Sequence, residues 1–313
     1  MRRVLLIFIA LFLIWIPTQY ALAFAVAPST LEIFGNRGET IQQKFSLVNT
    51  KDNDQTFYLD VLKFTASDES GSPKFISYEE DHSGLPDWLS FNNKAITVPG
   101  RSWAEINFAI AIPKDIASGG YYAAVTVSES PSEVVASNGA TIQAKTAVLL
   151  FLTVKGETVE QAGLLDFSLS PKNWTDQMTG KFYYRLQNQG NVHLVPAGTI
   201  TFKDIFGRTI TTVDANPATS RALPNTTRLF EGTFGNKQTG FFSTLKNEIS
   251  TLAVGPISAN LEATYGSDNQ KIEATTTFWL VPWQLLLTIV GLVLILLIVS
   301  RVLARISRKK FIS

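Results

Sequence analysis

The stretch Glu105-Ile-Asn-Phe-Ala-Ile-Ala-Ile112 decides the fold class. Ile106, Phe108, Ile110 and Ile112 take every second position, and Glu105, Asn107, Ala109 and Ala111 take the others. Successive side chains of a strand point to opposite faces, so this period buries one face and leaves the other to water. Pro99-Gly100 precedes the stretch and Pro113-Lys-Asp115 follows it, as strand punctuation should. The same pattern continues outward. Leu31-Glu-Ile33 is a short instance, and Ile41, Phe45 and Leu47 alternate with Gln42, Lys44 and Ser46. Tyr121, Ala123, Val125 and Val127 follow Gly119-Gly120, and Ile142 to Val154 is a long strand-like run. Asn36-Arg-Gly38, Asn49 to Asp54 and Asn138-Gly139 mark turns.

A second series begins after Lys155-Gly156-Glu157. It comprises Leu164–Leu169, Lys181–Leu186, Gly198–Phe202, Arg208–Ile210, Thr227–Phe230, Asn260–Tyr265 and Lys271–Trp279. Many short strands at this spacing predict an all-β chain of two tandem Ig-like β-sandwich domains, 24–155 and 156–277. Leu47-Val-Asn49 before a polar turn is like Leu186-Gln-Asn188, and Gly120-Tyr-Tyr-Ala-Ala124 is like Gly255-Pro-Ile-Ser-Ala259, which supports two similar modules. Ser67–Ser90 and Phe234–Gly255 escape the strand pattern, and no stretch of the two modules carries a helical apolar stripe across three turns.

The two ends differ from this middle. Ala274 to Ser300 contains no charge, and Leu285 to Val299 is almost wholly aliphatic. A helix needs ~20 apolar residues to cross ~30 Å of hydrocarbon. A transmembrane helix is therefore expected over 278–300, with Trp279 and Trp283 at one membrane interface. The basic tail 301–313 carries Arg301, Arg305, Arg308, Lys309 and Lys310, which places it in the cytoplasm and the two modules outside, as in a single-pass type I protein. At the other end, Met1-Arg-Arg3, an apolar Val4–Ile16 and Ala21-Leu-Ala23 have the layout of a signal peptide over 1–23, cleaved after Ala23. An uncleaved signal anchor is the alternative, with the same topology for the rest.

Composition excludes several functions. The chain has no cysteine, so thiolate nucleophiles, thiolate metal sites and disulfides are absent. Its 27 basic and 26 acidic residues give a net charge of +1, with several of the basic ones at the termini, so nucleic acid is not an expected partner. Glu79-Glu-Asp-His82 is the dense cluster of potential ligands, but four consecutive loop residues rarely converge on one ion. His193 lies in a turn-rich Asn188–Pro196 with no Gly-x-Ser-x-Gly elsewhere, so no catalytic constellation, metal or cofactor is expected. Phe57, Tyr58, Phe75, Tyr78, Trp88 and Phe91 in the first module read mostly as core. In the second, Trp174, Phe241 and Phe242 sit in polar, turn-like context and are the candidate exposed binding residues.

The order of elements resembles the WxL-interacting protein family of bacterial surface proteins. The resemblance is carried by Leu47-Val-Asn49, Leu85-Pro-Asp-Trp-Leu89, Ile112-Pro113 and Gly119-Gly-Tyr-Tyr-Ala123 in the first module. In the second it is carried by Asn188 to Gly198, Leu223-Pro-Asn-Thr-Thr-Arg228 and Phe278-Trp-Leu-Val-Pro282. Ile257 departs from it, standing where the repeated pattern would put an aromatic. The resemblance implies peptidoglycan as partner of the first module and a surface protein as partner of the second. The expected function is thus a membrane-anchored, non-enzymatic binding protein of the cell surface. An accessory subunit of a secreted fibre or membrane complex, held through its span, is the alternative. A wall hydrolase using Glu79 or Asp81 is a further one.

Overall fold

The computed structural model describes residues 24–131 and 145–310, with side chains to Arg305. The expected leader with Ala23, residues 142–144 of the long strand-like run, and the side chains of Arg308, Lys309 and Lys310 lie outside the described residues. The chain forms two compact units. One contains the residues up to Phe64 with Phe75–Lys155; the other contains Thr65–Lys74 with Gly156 onward.

In the first unit the alternating stretch is β8 (Trp103–Ala111), whose Ile106, Phe108 and Ile110 are buried while Glu105 and Asn107 face water. It lies in a four-stranded sheet of order β1 (Phe24–Ala27), β3 (Thr40–Asn49), β8 and β6 (Leu89–Phe91). The facing sheet runs β2 (Thr30–Gly35), β10 (Lys145–Val154), β9 (Gly119–Ser128), β4 (Gln55–Ala66) and β5 (Pro73–Ile76), with β7 (Ala95–Val98) also paired to β4. β2 joins β10 in parallel, whereas β9 is antiparallel to both β10 and β4. Consecutive β1 and β2 thus enter different sheets and tie the two together. The core between them holds Phe45, Phe57, Phe108, Val125 and Leu150. A single turn of helix, α1 (Leu85–Trp88), buries Leu85 and Trp88 on the same core, with Trp88 4.6 Å from the Tyr121 ring.

β4 and β7 are not among the strands expected from alternation. In β4 the buried Phe57, Leu59 and Val61 are interleaved with half-buried Tyr58 and Leu62, so both faces are apolar and the period-two contrast fades. Phe75 and Tyr78, expected in the core, are instead exposed in the polar segment between β4 and α1.

The second unit packs a sheet of β11 (Ala162–Ser170), β13 (Gly180–Asn188) and β16 (Thr227–Phe234) on a five-stranded one. The latter runs β12 (Trp174–Thr175), β18 (Gln270–Leu280), β17 (Gly255–Tyr265), β14 (Ala197–Lys203) and β15 (Thr209–Asp214). β13 buries Phe182, Tyr184, Leu186 and Asn188 at every second residue, and β17 does the same with Ile257, Ala259, Leu261, Ala263 and Tyr265. Each unit is an Ig-like β-sandwich.

The internal likeness has a physical basis. Asn49 ends β3 and Asn188 ends β13, and both are buried. The Asn188 amide donates to the carbonyls of Val192 and Ala222, both at 2.8 Å, while its Oδ1 accepts the Gly190 N–H. The Asn49 amide donates to Val98 and Asn53, and its Oδ1 accepts the Lys51 N–H. Each asparagine satisfies backbone groups of the turn that follows its strand and of a second segment. A shorter or purely apolar side chain would orphan them.

Two further helices complete the second unit. α2 (Phe241–Thr251) occupies the stretch in which no helical stripe was expected. α3 (Trp283–Lys310) follows β18 after only Val281 and Pro282. Its Trp283–Arg305 portion has a mean hydropathy of 2.8, is exposed along most of its length beyond the first turn, and is long and apolar enough to cross a membrane.

Candidate functional site

The most distinctive chemistry of the described residues gathers where α3 begins. Glu248 on α2 is buried, and its Oε2 accepts the backbone N–H of Leu285 at 2.6 Å. The first N–H groups of a helix have no intrahelical partner, and a carboxylate there meets the positive end of the helix dipole. Burial pushes the Glu248 carboxyl above its ordinary value of 4.5, opposed by the N–H groups of Leu285 and Gln284. Its other oxygen, Oε1, has no hydrogen-bond partner among the described residues, nor has Oε1 of the buried Gln284. A cavity of about 10 Å³, lined by Asp176, Gln177, Asn247, Glu248 and Thr251 among others, adjoins the carboxylate. That is about the room of one water.

α2 is pinned at both ends. Ahead of it, Gln177 exchanges two hydrogen bonds with the backbone of Gln238, at 2.8 and 3.2 Å. Behind it, Leu252 takes a left-handed conformation and donates its N–H to the Glu248 carbonyl. Arg208 then donates from Nη2 to the carbonyls of Thr251 and Leu252, at 3.0 and 2.7 Å. These are the carbonyls a helix end leaves open, and a cation suits them. Arg208 is itself oriented by Asp204, so the turn bearing Ile205 and Phe206 is fastened to the end of α2.

Several large apolar side chains are exposed in the segments near the start of α3. Trp174 and Trp279 are register partners across the parallel β12–β18 pair and are both exposed. The Phe241 ring lies 6.0 Å from Trp283 and 5.5 Å from Phe242, which is 82% exposed. Phe206, Leu252 and Val254 are also exposed. The structure therefore places Trp174, Phe241, Phe242, Trp279 and Trp283 in the segments that converge on the start of α3. It adds Glu248, Arg208, Ile205, Phe206 and Leu252, which sequence inspection passed over. Arg301 and Arg305 lie at the far end of α3, and both are exposed.

The remaining singled-out residues are elsewhere. Asp81 is paired with Lys63 at 2.6 Å and accepts from Ser83, and these contacts hold its carboxyl well below the usual range. His82 Nδ1 lies 2.6 Å from Asp87, and its ring stacks on Tyr78 at 4.4 Å. His193 is half-buried in the turn after β13.

No family model matches the chain, and no curated protein matches it. Among solved structures it is similar to the class 5 fimbriae chaperone CfaA, at 11% identity over 81% of this chain and 98% of that one, with a TM-score of 0.39. It is also similar to the Pseudomonas aeruginosa CupB2 chaperone, at 9% identity over 80% and 99% with a TM-score of 0.36. The structure of the CsuC–CsuE pre-assembly complex from Acinetobacter baumannii is a further likeness, at 12% identity over 82% and 98% with a TM-score of 0.36.

Proposed function

We propose that the chain is a single-pass membrane protein whose two Ig-like modules stand on the outer face of the cytoplasmic membrane and bind, without catalysis, the cell wall or a surface protein. The observation that carries this reading is α3. An apolar helix of this length, exposed beyond its first turn, joined to a β-sandwich by two residues and carrying arginines near its far end, is stable in a bilayer and unfavourable in water. The positive charge at its far end supports a cytoplasmic tail and exported modules. A sandwich recognises partners through its loops and through open sheet edges, to which an extended segment can add as a further strand. In keeping with the resemblance to the WxL-interacting family, peptidoglycan is assigned to the first module and a protein to the second.

A carboxylate hydrolase fits the geometry less well. A general acid needs a raised pKa, and Asp81, paired with Lys63, is held in the opposite direction. The test is a pull-down with the full chain in detergent against isolated walls and, separately, secreted proteins. Sedimentation with protein-stripped walls supports wall recognition, and selective retention of one protein supports docking. Binding to neither, together with loss of a membrane partner when 283–300 is replaced by an unrelated span, would favour an accessory subunit held through its helix.

A further inference from the structure

α2 is built inside out. At 100° per residue, Phe241, Phe242, Leu245 and Ile249 fall within an arc of about 100°, and Leu252 follows at the C-cap. Phe242 and Ile249 of that arc are exposed, as is Leu252, and Leu245 is half-buried. The side that faces the protein lies about 120° round from the middle of that arc and is polar: Thr244 and Glu248 are buried and Asn247 and Thr251 half-buried, while Ser243, Lys246 and Ser250 are exposed on the remaining side. A helix on a water-facing surface shows the reverse distribution, because turning its apolar stripe outward forfeits the gain from burial. The polar side is not an accident of packing, since Glu248 is engaged with the Leu285 N–H at the start of α3. That contact fixes which side of α2 is turned away.

We propose that α2 lies in the headgroup–acyl boundary of the same bilayer that α3 enters, with its apolar face in lipid. The occupant follows from continuity. α2 is joined to the first turn of α3 by the Glu248–Leu285 hydrogen bond and the Phe241–Trp283 ring contact, so its outward stripe is level with the point where the apolar helix begins. The neighbouring exposed groups have the same character: Trp174, Trp279 and Trp283 are the side chains that favour this region, and Phe206 and Leu252 extend the apolar surface. Of the described α2 residues, Lys246 is the one exposed charge; its long apolar stem suits a headgroup depth. The inference rests on the reading of α3 as a span. It adds that the second module is seated on the membrane rather than held off it by a flexible stalk.

Because the chain has no cysteine, single substitutions report cleanly from chosen positions. Phe242→Cys, Ile249→Cys, Asp268→Cys and Leu294→Cys in the full chain, each carrying an environment-sensitive fluorophore, would be reconstituted in phosphatidylcholine–phosphatidylglycerol vesicles. Lipids with nitroxides near the headgroup or deep in the acyl chain, and aqueous iodide, would serve as quenchers. The expected result is a blue-shifted signal at 242 and 249, quenched by shallow nitroxides more than by iodide. At 294 the deep nitroxide should dominate, and at 268 iodide. Iodide quenching at 242 and 249 with 294 still deep would overturn the interfacial helix and leave the anchor standing. Shielding of 242 and 249 from lipid and iodide alike would assign the stripe to a protein, such as a second copy, and also overturn it. Iodide quenching at 294 would remove the span and this inference with it.

Discussion

At the scale of single residues, the sandwiches depend on polar groups placed where apolar ones would fail. Asn188 is fully buried, and removing its side chain leaves the Val192 and Ala222 carbonyls and the Gly190 N–H unpaired. Unpaired buried groups cost about 1–3 kcal/mol each, partly relieved by relaxation, so Asn188→Ala should lose about 2–4 kcal/mol in thermal or denaturant unfolding of the full chain in detergent. A loss under 0.5 kcal/mol would show that the turn does not rely on it. Tyr184 is the converse case. Its ring stacks on Phe230 at 4.8 Å, but its buried hydroxyl has no partner among the described residues. Tyr184→Phe keeps the ring contact and removes that hydroxyl, so stability should stay the same or rise by up to about 1 kcal/mol. A clear loss would reveal a partner for the hydroxyl. The Leu-x-Asn pair at 47–49 and 186–188 was legible in the sequence as a repeat. Its meaning was not, because the carbonyls it binds come partly from segments up to 50 residues away.

At the scale of elements, the join between α2 and α3 should respond to pH. The folded protein holds the Glu248 proton to higher pH than an unfolded chain, whose carboxyl titrates near 4.5. Its favourable contribution is therefore complete below about pH 4.5 and falls as pH rises through the folded value. Glu248→Gln keeps an acceptor for the Leu285 N–H and removes the charge. It should flatten that part of the stability–pH profile and leave the protein at least as stable at pH 7, as read by thermal unfolding between pH 4 and 8. An unchanged slope, or marked destabilisation at neutral pH, would contradict this account of the carboxylate. Strands with one wet face, such as β8 and β13, were legible because their alternation survives in the sequence. β4 was not, because Tyr58 and Leu62 make its second face apolar as well. α2 is a different case: Phe241, Phe242, Leu245 and Ile249 do recur at helical spacing, and the expectation of no such stripe is corrected by the helix Phe241–Thr251.

At the scale of the whole molecule, two β-sandwiches, each built without disulfides, are followed by an apolar helix that the described residues cover only at its first turn. The partner is less legible than the apolar helix, because loops and sheet edges carry recognition in shape rather than in a short motif. The central claim is that the modules are exported and retained by α3, and cysteine accessibility in intact cells tests it most directly. Asp268→Cys lies in an exposed turn of the second module, and Ser313→Cys ends the basic tail. A membrane-impermeant maleimide should label position 268 in intact cells and position 313 only after permeabilisation, with both proteins in the membrane fraction. Labelling at 313 but not 268 in intact cells, or recovery of the chain in the soluble fraction, would contradict the account.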